Sequence, residues 1–525
     1  MPTITDILHQ QVELRPHNPA ILDPACNQFL SFAELEGASI QVAARLLQDG
    51  LQPGDTVLIF QPMSAKLYIV LLALFRLGLV AMFVDPSAGR SHLEQCCAIA
   101  PPQALIASPK AHLLRLTSST LRQIPRHYST GFTLPQTPAL NLERAADSLD
   151  VEYPMNQLLQ PSTPALLTFT SGSTGQPKAA LRTHGFLLAQ HRVLADSLSL
   201  TPDTIDLSTL PIFVLANLAS GVTSLIPNVD LRYPGKIDAA RVMQQIQRYR
   251  PVSTAASPAF LDRLADYAES YRDDRIELLS SFQRIFSGGA PVFPDLLERL
   301  QRLVPDATVT AVYGSTEAEP IAHIDFAEIQ EGDRQAMQQG SGLLAGPPVS
   351  QIQLRILKFQ WGTPILPLTQ IAFDAQCLSS GEIGEIVVSG DHVLSGYWQG
   401  QGDAETKFRV DDVPWHRTGD AGYKDAQGRV WLLGRCSARI EDDRGTLYPF
   451  AVEAAVRQYP QVRRSALVSY QGKRLLAVEW AQEGDIEVLR SQLAWAGVEE
   501  VRSLKIPVDR RHNAKVDYPT LYNKL

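Results

Sequence analysis

The run Leu30–Phe60, LSFAELEGASIQVAARLLQDGLQPGDTVLIF, restricts the fold more than any other stretch of the chain. Ser31 with Glu34 three residues on forms a capping box. Leu35, Ile40, Ala43, Ala44 and Leu47 recur at helical spacing, Gly50 ends the helix, and Pro53-Gly54-Asp55 turns into a strand at Thr56–Phe60. The unit then repeats, with a helix expected over 65–77 and a strand over 80–84. Repeated helix-then-strand units imply a parallel sheet with helices on its faces. Arg76 and Gly78 interrupt the apolar window 67–84. An arginine at a bilayer centre costs roughly 2.5–3.5 kcal/mol, so this window reads as buried helix, turn and strand. Further helices are expected over 185–198 and from Ser257, where Pro258 suits a helix start, with a short strand over 251–256. The proline-rich stretch 113–160 reads as surface connection.

The most informative text is Ala165–His184, ALLTFTSGSTGQPKAALRTH. An apolar run suited to a buried strand leads into Thr170-Ser171-Gly172-Ser173-Thr174-Gly175-Gln176-Pro177-Lys178. Glycines let backbone N–H groups turn inward, hydroxyls add donors, and the lysine adds a point charge, a combination suited to a phosphate chain. The spacing is not that of a Walker A loop, because two residues separate Gly175 from Lys178 and alanine follows the lysine. On residue types alone, a plain surface loop is the competing reading.

This loop resembles the phosphate-binding signature of the adenylate-forming superfamily, which includes acyl-CoA synthetases, nonribosomal adenylation domains and luciferases. The resemblance implies that Thr170, Ser171, Gly172, Ser173, Thr174, Gly175 and Lys178 handle the phosphates of ATP while a carboxylate attacks the α-phosphorus. Ser287-Gly288-Gly289-Ala290-Pro291 matches the turn that lies against adenine in that family, and a flat base can approach a backbone without side chains; a plain turn fits the same residues. Val312-Tyr313-Gly314-Ser315-Thr316-Glu317 resembles the YGxTE signature. There Tyr313 would stack on the base, Gly314, Ser315 and Thr316 would line the nucleotide, and Glu317 would hold Mg²⁺, a hard cation that prefers carboxylate and phosphate oxygens. Trp415-His416-Arg417-Thr418-Gly419-Asp420 resembles the TGD motif, whose aspartate accepts from both ribose hydroxyls; His416 is expected to pack. Arg435 matches an arginine that also touches the ribose. Leu210-Pro211-Ile212-Phe213 resembles an LPxF segment, which makes Phe213 a candidate for the carboxylate pocket.

The pattern breaks after Arg435. The related text continues K-D-x-I-K, with an aspartate or lysine as hinge, whereas this chain reads Ser437-Ala438-Arg439-Ile440-Glu441. Near the end, Ile506-Pro507-Val508-Asp509-Arg510-Arg511-His512-Asn513-Ala514-Lys515 places Lys515 at the position of the catalytic lysine. A compact ammonium there would offset charge at the α-phosphate. This string, with Thr316-Glu317-Ala318-Glu319-Pro320, resembles the olefin β-lactone synthetases. The implied architecture is α/β: a large N-terminal adenylate-forming domain (1–434) of parallel and mixed sheets layered with helices, and a small, mobile α+β C-terminal domain (435–525) carrying Lys515.

The expected chemistry is ATP- and Mg²⁺-dependent activation of a carboxylic acid, with Thr316, Glu317 and Lys515 catalytic. A long-chain 3-hydroxy acid closed to a β-lactone is the first reading and a fatty acyl-CoA ligase using CoA the alternative. A non-catalytic nucleotide-binding protein is the remote third. The net charge of −8 argues against bulk nucleic-acid binding. Five cysteines without C-x-x-C spacing, and no apolar leader at the start, suggest a cytoplasmic protein without disulfide framework, zinc site or transmembrane segment.

Overall fold

In a computed structural model, the structure describes residues 3–85, 88–142, 159–171, 177–270, 278–509 and 514–525. The chain divides into two compact units: 1–231 with 244–254 and 396–403, and 232–243 with 255–395 and 404–525.

The first unit is organised around a sheet in the order Arg126–Ser129, Ala104–Ala107, Thr56–Phe60, Val80–Phe83, Pro164–Ser171, Pro177–Thr183. The first five strands are parallel and the last is antiparallel. Ser31 caps the helix Phe32–Gln48 as expected: its hydroxyl accepts from the Glu34 N–H at 3.2 Å while Glu34 accepts from the Ser31 N–H at 2.8 Å. The strand Thr56–Phe60 alternates between two cores. Val57 and Ile59 face the helices Phe32–Gln48 and Ala65–Arg76, while Leu58 and Phe60 join Leu93, Cys96 and Cys97 of the helix Arg90–Ile99. Ala65–Arg76 is buried on nearly all sides, which accounts for its continuous apolar text. Its arginine is accommodated by an ion pair with Glu36 and a 3.1 Å bond to Ser39. Among the described residues no helix is long and apolar enough to cross a membrane.

Two expectations are corrected. The stretch 113–160 is not mere connection: it contributes the helix Ser119–Gln123 and the strand Arg126–Ser129, which adds to the sheet through Ala104–Ala107. The helix expected over 185–198 forms as His184–Ser197, and the strand Pro177–Thr183, unread in the sequence, precedes it. On Phe32–Gln48, Leu46 is buried and Leu47 exposed, so the apolar face lies one residue from where the spacing placed it.

A second ladder in this unit joins Ile205–Ser208, Thr223–Leu225 and Pro19–Asp23 in parallel, with Gln28–Ser31 antiparallel. In the second unit Arg284–Ser287 runs parallel to Thr308–Ser315, which turns back as Ala318–Asp325. An antiparallel sheet follows in the order Leu343–Gly346, Val430–Arg435, Val413–Lys424, Gly384–Ser389, Gln353–Leu357. The C-terminal part comprises the hairpin Ile440–Asp442 and Gly445–Leu447, the helix Pro449–Val456, and the sheet Val462–Tyr470, Lys473–Trp480, Glu500–Ser503 over its own apolar core.

Candidate nucleotide site

Parallel strands deliver their C-terminal ends to one edge, where ligands of α/β sheets are usually held. The strand Arg284–Ser287 ends there in Gly288-Gly289-Ala290, and its partner pairs Ala311 with Ser287, which sets Gly288 beside Val312. A Cβ on Gly288 would stand 3.1 Å from the Val312 carbonyl oxygen, so the residue is glycine because two backbones approach closely. The partner strand turns sharply after Tyr313. Its register shifts between Tyr313 and Ser315, and a Cβ on Gly314 would lie 3.1 Å from the Ala318 carbonyl. Thr316 and Glu317 form the half-buried tip of that hairpin. The Glu317 N–H donates to Ser315 Oγ at 3.3 Å, and its carbonyl accepts from the Leu394 N–H at 2.7 Å.

Asp420 lies opposite Arg435 on adjacent antiparallel strands. Its two carboxylate oxygens are divided: Tyr313 Oη donates to Oδ2 at 2.7 Å and Arg435 Nη1 donates to Oδ1 at 2.9 Å. The Arg435 guanidinium also reaches the Thr418 carbonyl at 3.2 Å, and Thr418 Oγ1 accepts from the Asp420 N–H at 3.1 Å. Burial and the neighbouring Asp420 carboxylate hold the Tyr313 phenol well above its ordinary range, so it stays a neutral donor. Asp420 likewise raises Arg435 above its usual value. Three residues singled out separately in the sequence are thus joined by direct hydrogen bonds.

Behind this group stands a buried ion pair. Arg417 and Glu385 are each 1% exposed and meet at 2.6 Å. Glu385 also accepts from the Gln360 N–H at 2.6 Å, Arg417 donates to the Thr363 carbonyl at 2.7 Å, and the guanidinium stacks 5.1 Å from the Trp361 ring centroid. These bonds fix the 360–363 turn so that Trp361 packs at Gly419: a Cβ there would be 3.0 Å from the indole and 3.1 Å from the Arg435 guanidinium. His416 is buried and bonded to the Thr406 carbonyl at 3.2 Å, a packing role as expected.

In the first unit, Thr170 pairs with Lys178 and Ser171 with Pro177 across the antiparallel hairpin. Gly172, Ser173, Thr174 and Gly175 lie outside the described residues. Lys178 is buried, with its ammonium 5.6 Å from the Tyr397 ring centroid, and a Cβ on Gly402 would fall 2.8 Å from its stem. The Tyr397 segment therefore packs over the lysine, a contact its sequence did not signal. Phe213 is buried on the first turn of the helix Pro211–Ser220.

Lys515 sits on the C-terminal loop closed by the Val508–Val516 bridge. Asp509 shapes that loop, accepting from the N–H groups of Ala514 at 3.2 Å and Lys515 at 3.0 Å. After Arg435, Cys436 is buried, while Arg439 lies 3.3 Å from the Phe359 ring centroid and 3.0 Å from Glu441. Among the described residues no group of three or more His, Cys, Asp or Glu side chains could hold a metal. A magnesium ion at Glu317 would take its remaining ligands from phosphate oxygens and water, which is how that ion is usually bound.

Comparison with known proteins matches the family model for the AMP-binding enzymes to residues 8–398. An olefin beta-lactone synthetase of Stenotrophomonas maltophilia is 33% identical over 510 residues, covering 93% of this chain and 89% of that protein. An indoleacetate–CoA ligase of Aromatoleum aromaticum is 28% identical over 474 residues, covering 89% and 84%. The amide bond synthetase McbA from Marinactinospora thermotolerans has the same fold, with a TM-score of 0.80 at 20% identity and 99% coverage of both chains.

Proposed function

The chain belongs to the AMP-binding enzyme family, and we propose that it activates a long-chain 3-hydroxy acid with ATP and closes it to a β-lactone. The enzyme is an adenylate-forming ligase, whose substrate is a small-molecule carboxylic acid. In the first step the acid's carboxylate attacks the α-phosphorus and pyrophosphate leaves. In the second, the substrate's own 3-hydroxyl attacks the activated carbonyl, the acyl–phosphate bond breaks, AMP leaves and the hydroxyl proton passes to solvent. Because the nucleophile is internal, no thiol is required, and its effective concentration is high when well oriented.

We assign the residues accordingly. Tyr313 with Gly288-Gly289-Ala290 flanks the base, Asp420 and Arg435 hold the ribose, and Gly314, Ser315 and Thr316 line the α-phosphate. Thr170 through Gly175 and Lys178 take the departing phosphates, and Phe213 borders the acid. Glu317 would hold Mg²⁺, which spreads the charge gathering on the phosphate oxygens, and Lys515 would offset charge at the α-phosphate and carboxylate. The same reading takes 1–434 as the body that binds both substrates and 435–525 as the part that brings Lys515. Five unpaired thiols, Cys26 exposed among them, support work in the cytoplasm.

The observation that carries this reading is the Asp420 carboxylate shared between Tyr313 and Arg435, at 2.7 and 2.9 Å, in a chain 33% identical to a β-lactone synthetase. The test compares a 3-hydroxy acid with its unsubstituted counterpart, each with and without CoA, by AMP release and product mass. The expected result is lactone and AMP from the hydroxy acid regardless of CoA, with a stalled adenylate from the other. Rapid turnover of the unsubstituted acid to acyl-CoA only when CoA is present would replace this reading with an acyl-CoA ligase.

A further inference from the structure

No acidic residue occurs between Glu94 and Glu143, although Lys110, Arg115, Arg122 and Arg126 all fall there and the whole chain carries a net charge of −8. The same stretch holds three of the most exposed large apolar side chains: Leu113, Leu116 and Phe132 are 61, 73 and 68% exposed. A single exposed leucine means little. A group of them among cations of one sign does mean something, because folded surfaces otherwise keep apolar patches small.

The fold gathers these residues. Leu113 and Leu116 lie on the short 3-10 helix Ala111–Leu116, which follows the strand Ala104–Ala107. Phe132 follows the neighbouring strand Arg126–Ser129. The Gly131 turn rests on Pro109, so that a Cβ on Gly131 would stand 2.6 Å from the proline ring. Arg115 Nη1 donates to Thr137 Oγ1 at 2.8 Å and ties the helix to the next turn, where Leu134 and Thr137 exchange backbone bonds. Lys110 and Arg122 are exposed, Arg122 on the helix Ser119–Gln123, which packs against Ala111–Leu116.

The position matters as much as the composition. The strands Ala104–Ala107, Arg126–Ser129 and Pro164–Ser171 are all parallel members of one sheet, so the segments after them share its C-terminal edge. Three steps separate Ala104–Ala107 from Pro164–Ser171, roughly 14 Å at the usual strand spacing. Lys110, Leu113, Leu116 and Phe132 therefore follow strands that end on the edge where Thr170 and Ser171 end theirs.

We propose that this face docks the protein on the anionic surface of a lipid bilayer. Leu113, Leu116 and Phe132 enter the headgroup boundary, and Lys110 and Arg122 meet lipid phosphates. The absence of acids over the stretch favours an anionic lipid surface over a protein partner of mixed charge. The inference rests on the proposed function only for its purpose, since a long-chain acid resides in the bilayer and docking would present it at the catalytic edge.

The test is flotation of the full chain with vesicles of phosphatidylcholine alone and with added phosphatidylglycerol, without ATP or acid. Binding is expected to appear with phosphatidylglycerol and weaken as salt rises. The pair Lys110→Glu/Arg122→Glu is expected to lower partitioning at least about 25-fold, at roughly fivefold per cation. The pair Leu116→Ser/Phe132→Ser should release the protein as well. Both should adenylate a short, water-soluble 3-hydroxy acid as the unaltered enzyme does, which shows that they fold. Absence of binding to anionic vesicles, or binding that neither pair alters, would overturn the proposal. So would a dimer, or a co-purifying protein, that dissociates in the Leu116/Phe132 pair. Failure of the unaltered enzyme to activate the short acid would instead count against the proposed function and leave the vesicle result standing.

Discussion

Glu453 provides a test of the C-terminal part whose size follows from the structure. It lies on the helix Pro449–Val456, 3% exposed, where its carboxylate accepts from the Leu467 N–H at 3.0 Å. Pro449 of that helix packs on Gly434, the residue before Arg435, at 3.3 Å from a Cβ built there. Burial pushes the Glu453 carboxyl up from 4.5 to about 7. Because the folded value is the higher one, the group's contribution is complete below pH 4.5. It falls as the unfolded chain ionises first, and is lost once pH passes 7. The gap corresponds to about 3 kcal/mol. Glu453→Gln keeps an acceptor for Leu467 and removes the titration. Its extra buried donor costs a constant amount at every pH, so only the slope carries information. Chemical denaturation at pH 5 and pH 8, followed by tryptophan fluorescence, should show the unaltered protein losing about 2–3 kcal/mol more than the variant over that interval. Parallel stability curves for the two proteins would refute the reasoning.

Two further outcomes follow from the site. Lys515→Ala is expected to lower adenylate formation by roughly 10²–10³-fold with ATP binding nearly intact, as read by pyrophosphate release and nucleotide titration. Arg417→Met strips the buried Glu385 carboxylate of its partner and is expected to cost about 3–5 kcal/mol in chemical unfolding.

What the sequence made legible and what it did not differ by range. Ser31 and Glu34 act on each other across one helical turn, and Thr56–Phe60 is a continuous apolar run, so both could be read locally and both form as expected. Arg126–Ser129 could not, because Arg-His-Tyr-Ser has no apolar run and lies at the end of the sheet order, with one strand neighbour. Pro177–Thr183 opens on a proline, which suggests a break. At the first position of an edge strand, however, a missing N–H costs little. Tyr313, Asp420 and Arg435 each stood out by motif, yet Tyr313 joins Asp420 across more than a hundred residues and Arg435 joins it from the adjacent strand. Trp361 and Phe359 had no local signal, since their importance comes from Arg417 and Arg439 stacking on them.

Under the proposed function, magnitudes decide what selects the product. Ala438 stands where related sequences carry a hinge aspartate or lysine, and the next residue, Arg439, stacks on Phe359 and pairs with Glu441. Such a stack contributes roughly 0.5–2 kcal/mol, and a partly exposed ion pair up to about 1 kcal/mol. Together they bias the linker toward this packing by at most about 3 kcal/mol, roughly 150-fold. An internal hydroxyl, well oriented, acts at effective concentrations of about 10⁵ M or more, far above any free thiol in a cell. Strain in a four-membered ring reduces that lead but acts on the same nucleophile whatever the linker does. The internal hydroxyl needs no movement of the residues after Arg435 to reach the carbonyl, so the 150-fold bias does not act on lactone closure. The presence of a 3-hydroxyl in the acid, held against the activated carbonyl, therefore determines whether a lactone forms. The Arg439–Phe359 contact governs only how long an adenylate without that hydroxyl waits.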